Sequence, residues 1–191
     1  MKHKRAKPVP KAATMQVLAR SPAATRGQLT WGGMTVACAL GARGCRARKR
    51  EGDGATPIGR WRLREVFYRA DRILRPRTSL PVRALNAWDG WCDAVGDRNY
   101  NRWVRHPYRA SAEKLWRSDR LYDLVVTLDH NACPRIQGLG SAIFMHVAGT
   151  GYPATAGCVA LQRPHLLRLL AKARRGSVLI VAGGRCKKRP E

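Results

Sequence analysis

The sequence predicts a single β-rich domain that carries one amphipathic helix near its C-terminal end. Residues 28–66 hold short apolar or alternating stretches bounded by glycines, which are typical of strands joined by tight turns. An apolar run with helical spacing begins near Pro164. A length of 191 residues with 45% hydrophobic residues is enough for one core, so we expect one domain with one functional site.

The N-terminal segment, residues 1–27, is rich in Lys, Arg, Pro, Ala and Thr and shows no apolar periodicity. Such a composition buries too little apolar surface to offset the entropy of ordering the chain. We therefore predict a basic, disordered arm at 1–27 and a folded catalytic domain at 28–191. The first strands of this domain are predicted at 28–31, 34–40 and 59–66.

Residues 67–118 hold many prolines, tryptophans and polar residues and show no sustained period. Loops of this length in compact domains are usually functional, so we predict an irregular insertion that covers a cleft. Arg98 and Tyr100 in this insertion are candidate substrate-binding residues. Arg98 can grip a substrate carboxylate with two parallel hydrogen bonds, or it can form a structural ion pair with Asp93 or Asp97.

The last third of the chain returns to regular patterns. Residues 121–128 and 142–147 are apolar and predict buried strands. Pro164 stands at the start of the amphipathic run PHLLRLLAKARR, where its fixed φ and missing N–H suit the first position of a helix. Residues 177–182 are predicted to form the last strand.

The charge of the chain is strongly positive. Lys and Arg number 37 and Asp and Glu 12, which gives a formal net charge of +25. A field of this size attracts polyanions, so nucleic acid is the first partner to consider. The chain has no zinc-finger spacing, no basic helix that leads into heptads and no aromatic RNA-binding signature, so we favour a generally basic, solvated surface. The rival interpretation is a non-catalytic basic module that binds anionic wall polymer or nucleic acid.

Targeting and cysteine patterns give further expectations. The longest nearly apolar run, residues 34–42, is much shorter than the roughly 20 residues that span a bilayer. The basic N-terminus is followed by Pro and Lys where a secretory signal has an apolar region, so no export signal is visible. Six cysteines without a C-x-x-C pair predict no metal and no cofactor, and reduced thiols fit the missing signal.

One pair of residues has the elements of nucleophilic catalysis. His146 ends an apolar stretch, and Cys158 follows twelve positions later, after the turn-rich segment GTGYPATAG. This pattern can bring thiol and imidazole together, so that the imidazole takes the thiol proton and the thiolate attacks a carbonyl. The alternative, which spacing alone favours, is a buried structural cysteine beside a histidine that backbone groups satisfy.

Gly157 directly precedes Cys158. Because it has no Cβ atom, it lets the backbone turn sharply and lets a substrate approach closely. The backbone N–H groups of Ala156, Gly157 and Cys158 are then candidates for an oxyanion hole.

The segment HVAGTGYPATAGCVAL, with DGATPIGRW at 53–61, resembles the catalytic domain of the L,D-transpeptidase (YkuD-like) family. The family signature is a His, a short variable loop and Ser/Thr-x-Gly-Cys before a hydrophobic residue, and the match extends in outline over 28–182. The resemblance implies a mainly β fold, a sandwich or barrel with a few short helices. It also implies a cysteine that is acylated by the third residue of a peptidoglycan stem peptide.

Carried over to this chain, the resemblance implies Cys158 as the nucleophile, His146 as the base and the Val147 carbonyl as the group that orients the imidazole. Thr155 matches the signature, and Thr56 lies in a turn that resembles the family's T-P-x-G turn. Both are candidate substrate contacts, although Thr56 can equally shape one wall of the site.

The chain departs from the family pattern at two positions. Ala156 stands where the family often has His, and Ala160 where it often has Arg. These changes bear on acceptor handling and substrate grip and leave the nucleophile and base in place. Transfer to an amine implies an L,D-transpeptidase of the cell envelope. Transfer to water gives an L,D-carboxypeptidase, which fits muropeptide recycling in a reducing compartment.

Overall fold

The computed structural model describes residues 12–184, and β-strands dominate this part of the chain. The described part contains one α-helix, α1 (Arg163–Lys172). Its strands, in chain order, are β1 (Thr14–Ala19), β2 (Arg26–Trp31), β3 (Met34–Ala39), β4 (Cys45–Arg46), β5 (Thr56–Pro57), β6 (Gly59–Tyr68), β7 (Val82–Ala84), β8 (Asp89–Cys92), β9 (Trp103–Arg105), β10 (Ala112–Lys114), β11 (Leu124–Leu128), β12 (Phe144–Val147), β13 (Val159–Leu161) and β14 (Val178–Ala182).

The main sheet closes on itself. Its strands follow the order β11-β12-β13-β3-β2-β1-β14-β6, and β6 also pairs with β11, so the described strands form a ring. β7 adds to the second half of β6 in parallel orientation. The mainly β fold of sandwich or barrel type is therefore confirmed, and the strands predicted in the regions 28–31, 34–40 and 59–66 are present as β2, β3 and β6.

The main core lies between one face of the ring and α1. Leu166, Leu169 and Leu170 of α1 are buried and pack with Met145 and Val159 from the ring. Pro164 lies in the first turn of α1, where the sequence places it. The predicted helix and the last predicted strand, β14, are thus confirmed.

The predicted boundary of the N-terminal arm is wrong for the residues that the structure describes. β1 pairs in parallel with β14 and antiparallel with β2, and Met15, Val17 and Ala19 are almost completely buried. These three apolar residues alternate with polar or exposed ones over six positions, a strand pattern that the average composition of 1–27 conceals. Residues 1–11 lie outside the described residues.

The predicted insertion is more regular than its sequence indicates. It contains β7 to β10, and β10, β8 and β9 form a three-stranded antiparallel sheet. We name residues 85–118 the covering segment, because Leu85 and Leu115 pack on Val125 and Phe144 at the outer face of the ring. Burial against the ring orders this segment although it has no long-range period of its own.

Candidate active site

The pairing of β12 and β13 brings the predicted nucleophile and base to the same face of the ring. The two strands are parallel neighbours, and His146 lies opposite Ala160. Side chains alternate along a strand, so Cys158, two residues before Ala160, points to the same face as His146 and belongs to the outer cluster with Phe144. The thiol and the imidazole are therefore diagonal neighbours on two adjacent strands.

Both side chains line a cleft of about 470 Å³ between the ring and the covering segment. His146 is 5% exposed and Cys158 is 6% exposed, so each opens to the cleft through a small area. Loop 148–158, which joins β12 to β13, forms one wall, and the covering segment contributes Glu113 and Arg117 to the other.

Backbone and aromatic contacts fix the imidazole of His146. Its Nδ1 lies 2.8 Å from the Val147 carbonyl oxygen, the contact that the family resemblance implies. Since Nδ1–H donates to this carbonyl, Nε2 is left with the lone pair that a base needs. The ring stands edge-on to Tyr122 at 5.2 Å. Burial lowers the pKa of His146 to about 4, so the imidazole is neutral at pH 7.

The thiol of Cys158 lies between two backbone groups of the 142–144 turn. Sγ donates to the Ala142 carbonyl oxygen at 3.2 Å and accepts from the Phe144 N–H at 3.3 Å. Burial, with the Glu113 carboxylate adding to it, raises the pKa of Cys158 to about 12. The Ala142 contact favours the thiol and the Phe144 contact favours the thiolate. Cys158 and His146 therefore rest as a neutral pair.

Gly157 occupies a backbone position that requires glycine. Its φ is 135°, and a Cβ atom there would lie 2.8 Å from the Ala55 carbonyl oxygen. Its N–H donates to Thr155 Oγ1 at 3.1 Å, and this hydroxyl donates to the Cys158 carbonyl at 2.7 Å. The Gly157 N–H, which we predicted for an oxyanion hole, is thus engaged within the loop, while Ala156 is exposed and lines the cleft.

A sequence model of the L,D-transpeptidase catalytic domain, YkuD, matches residues 17–181. The chain belongs to this family. A search of the curated proteins gives no significant match.

Two solved structures are similar to this L,D-transpeptidase-family chain at low identity. Bd1075 of Bdellovibrio bacteriovorus has 12% identity and a TM-score of 0.40, and the match covers 88% of this chain and 47% of that chain. An L,D-transpeptidase (Yku) from Stackebrandtia nassauensis has 12% identity and a TM-score of 0.37, over 98% of this chain and 63% of that chain. The chain therefore spans between about half and two thirds of these two proteins.

Both threonines predicted to contact substrate have their hydroxyls engaged within the family domain. Thr56 is completely buried, accepts from the Gly41 N–H at 2.8 Å and donates to the Cys158 carbonyl at 3.4 Å. It does not line the cleft, so it supports the backbone of Cys158 from the side away from the cleft. Thr155 does line the cleft, although its hydroxyl is held by Gly157 and Cys158.

The structure also places the two predicted substrate-binding residues of the insertion away from the cleft lining. Tyr100 is buried, donates to Glu51 and accepts from the Gly140 N–H at 3.0 Å, so it ties the covering segment to two loops beside the ring. Arg98 is exposed next to Asp97. Neither residue reaches the cleft in the described part of the chain.

Sequence reasoning missed Asn101, which links the covering segment to the turn beside Cys158. Its Oδ1 accepts from Trp91 Nε1 at 2.9 Å and from the Ala142 N–H at 3.2 Å, and its Nδ2 donates to the carbonyls of His130 and Asn131. Asn101 and Ala142 have φ of 54° and 50°, the left-handed region that alanine rarely adopts. These contacts hold the strained turn whose carbonyl receives the thiol.

Sequence reasoning also missed the charged groups of the cleft. Lys49, Glu51, Asp93, Glu113 and Arg117 line it, and three of these are acidic although the whole chain has only 12 acidic residues. They come from two distant segments, so no short motif reveals them. The scarcity of acids is the one signal that could have drawn attention to them.

Two further findings concern residues 12–184 only. No group of three or more His, Cys, Asp or Glu side chains is arranged to hold a metal ion within this range. No helix in the same range is both long and apolar enough to cross a membrane.

Proposed function

We propose that the protein is an L,D-transpeptidase-type acyltransferase that acts on peptidoglycan stem peptides through a thioester at Cys158. The observation that supports it best is the placement of Cys158 and His146 in one cleft, with the imidazole oriented by the Val147 carbonyl. Family membership supplies the substrate class.

The first half-reaction forms the thioester. The carbonyl carbon of the third stem residue enters the cleft, and His146 Nε2 takes the proton of the Cys158 thiol as Sγ attacks this carbon. The bond to the terminal D-amino acid breaks, and the imidazolium returns the proton to the leaving amine. Because the resting pair is neutral and the thiol donates to Ala142, the thiol must first turn toward the imidazole.

The second half-reaction releases the acyl group. An amine or a water molecule attacks the thioester carbon while His146 takes one of its protons. The bond from carbon to Sγ breaks, and the imidazolium returns the proton to the thiolate. Exposed Ala156 stands where the family often has a histidine, so the wall through which the acceptor can approach is formed by a small apolar side chain.

Mass spectrometry of a purified tetrapeptide stem after incubation with the protein tests this proposal. With an added D-amino acid we expect a tetrapeptide whose last residue has been exchanged. Tripeptide alone at saturating D-amino acid would replace the transferase with an L,D-carboxypeptidase. Unchanged tetrapeptide under both conditions would contradict the enzymatic proposal and favour a basic binding module, whose binding should fall steeply with salt and survive Cys158→Ala.

A further inference from the structure

The cleft contains more acidic than cationic side chains, although the protein as a whole is strongly basic. The formal net charge is +25, yet the carboxylates of Glu51, Asp93 and Glu113 line the same cleft as Cys158. Within residues 12–184, none of these three carboxylates has a Lys, Arg or His nitrogen within 4.0 Å. Three carboxylates without a cationic partner are unexpected in a chain with 37 Lys and Arg residues.

The two cations of the cleft have carboxylate partners of their own. Lys49 forms an ion pair with Asp53 and donates to the Arg50 carbonyl at 2.8 Å. Arg117 donates to both carboxylate oxygens of Asp119. Both cations are therefore paired with carboxylates outside the group of three, although the charge of Arg117 still lowers the pKa of Glu113.

The groups that contact the three carboxylates are neutral. Glu51 accepts from the Tyr100 hydroxyl and Glu113 from the Tyr122 hydroxyl. Oδ1 of Asp93 is buried without any hydrogen-bond partner in the described part of the chain. Burial raises the pKa of Glu113, and the positive charge of nearby Arg117 offsets only part of this rise.

A buried hydroxyl in the same cleft also lacks a partner. Ser141 is 6% exposed and lines the cleft, and its Oγ lies near the Tyr100 hydroxyl but makes no well-formed hydrogen bond to a described residue. The hydroxyl of the neighbouring Tyr100 already donates to Glu51 and accepts from Gly140. A buried polar atom of this kind is costly unless water or a ligand satisfies it.

We propose that Glu51, Asp93 and Glu113, together with the Ser141 hydroxyl, form a subsite for a primary ammonium group of the substrate. An ammonium group has three donors and no acceptor, which matches carboxylate and hydroxyl oxygens. The inference rests on the proposed function, which brings a stem peptide to this cleft. The ammonium has two possible sources: a diamino acid at the third stem position, or the amine that accepts the acyl group.

Such a subsite couples substrate binding to activation of the nucleophile. The Glu113 carboxylate opposes ionisation of Cys158 by like-charge repulsion. A bound ammonium compensates this charge, so it lowers the pKa of the thiol when a substrate is present. The thiol thus stays protonated in the empty cleft and becomes easier to ionise when the cationic substrate arrives.

Calorimetry on a Cys158→Ala background tests the first source without chemistry. The probes are a stem tetrapeptide with lysine at the third position and the same peptide with its side-chain amine acetylated. If the stem supplies the ammonium, Glu113→Gln and Asp93→Asn each raise the Kd of the lysine peptide on the order of tenfold and change that of the acetylated peptide by less than about twofold. The matched control is Glu65→Gln, since Glu65 is a half-buried carboxylate outside this cleft, and it should change neither Kd.

The second source is tested in the exchange reaction with the nucleophile present. If the acceptor supplies the ammonium, the two Kd values stay unchanged and the KM for D-alanine rises on the order of tenfold in Glu113→Gln and Asp93→Asn. The proposal is overturned if no Kd and no KM changes by more than about twofold, or if both peptides lose affinity equally. Absence of a thioester on the wild-type chain would instead contradict the proposed function. The calorimetric comparison of the two peptides would still decide whether the subsite binds an ammonium group.

Discussion

The two walls of the cleft are built in different ways. On the ring side, backbone groups hold the reacting atoms: the Val147 carbonyl holds His146, and the 142–144 turn holds Cys158. On the other side, the covering segment presents charged side chains such as Glu113, which other side chains hold. The comparison indicates that contacts between neighbouring backbone groups position the proposed nucleophile and base, whereas long-range packing positions the charged groups of the proposed subsite.

Removal of the Cys158 thiol or the His146 imidazole tests the role proposed for the ring side of the cleft. We expect Cys158→Ala to abolish thioester formation and His146→Ala to lower its rate by about 10³-fold, because a general base contributes 10²–10⁴-fold in typical enzymes. Single-turnover kinetics with a stem tetrapeptide measure both effects. Cys133→Ala is the control, because Cys133 is an exposed free thiol, and it should retain the wild-type rate.

The neutral state of the reacting pair should be visible in the free energy of unfolding. His146 has a pKa of about 4 in the folded chain against 6.5 unfolded, so between these values the unfolded chain binds more protons. Stability should therefore fall by roughly 3 kcal/mol as pH drops from 7 to 4. Cys158, with a raised pKa of about 12, should in turn cost stability as pH rises above 9.

Urea unfolding at several pH values measures this acid-side loss. His130 shifts in the same direction, so the wild-type chain must be compared with His146→Gln, which retains His130. We expect the acid slope of the variant to be shallower. Equal slopes would show that His146 is not held as a buried neutral base.

Asn101 connects the two walls, so Asn101→Ala should loosen both. We expect kcat to fall on the order of tenfold and the free energy of unfolding by about 2 kcal/mol, since several buried hydrogen bonds are lost. Asn101→Asp keeps the acceptor for Ala142 and should restore part of kcat. Asn99→Ala, which removes a contact to Tyr108 in the same segment, is the control. A pH profile of Cys158 alkylation that is unchanged in Asn101→Ala would contradict a role in positioning the thiol.

The smallest expected effect concerns the charge of the covering segment. Glu113→Gln keeps an acceptor for Tyr122 and removes the negative charge that raises the pKa of Cys158. The thiolate fraction should increase, so iodoacetamide should alkylate Cys158 a few-fold faster at pH 8. Alkylation at or below the wild-type rate would show that the Glu113 charge does not control the reactivity of the thiol.

Local patterns, together with the family resemblance, were sufficient to predict the elements on the ring side of the site. The apolar run before His146, the glycine-rich loop and the apolar return after Cys158 are local patterns, and the structure contains them as β12, loop 148–158 and β13. The Val147 contact was implied by the family resemblance, and the structure contains it. His146 lies on β12, and Val125 of β11 and Phe144 of β12 pack with the covering segment. Both strands were predictable because their sequences are apolar.

The remainder depends on contacts between distant parts of the chain. Tyr100 is polar and lies in an irregular stretch, which suggested a substrate contact, yet burial directs its hydroxyl to Glu51, 49 positions away. Asn101 gains its importance from the φ of Ala142, which no sequence period reveals. β1 was missed because the basic average composition of residues 1–27 conceals its short alternation, and one of its two pairing partners, β14, lies at the other end of the domain.

Intact-mass spectrometry of the acid-quenched reaction tests the central claim most directly. After mixing the wild-type chain with a stem tetrapeptide, we predict an adduct with the mass of the tripeptide acyl group, mapped to Cys158 by peptide digestion and removed by added hydroxylamine. The adduct should be absent in Cys158→Ala. Turnover of tetrapeptide by Cys158→Ala, or an adduct mapped to another cysteine, would contradict Cys158 as the nucleophile.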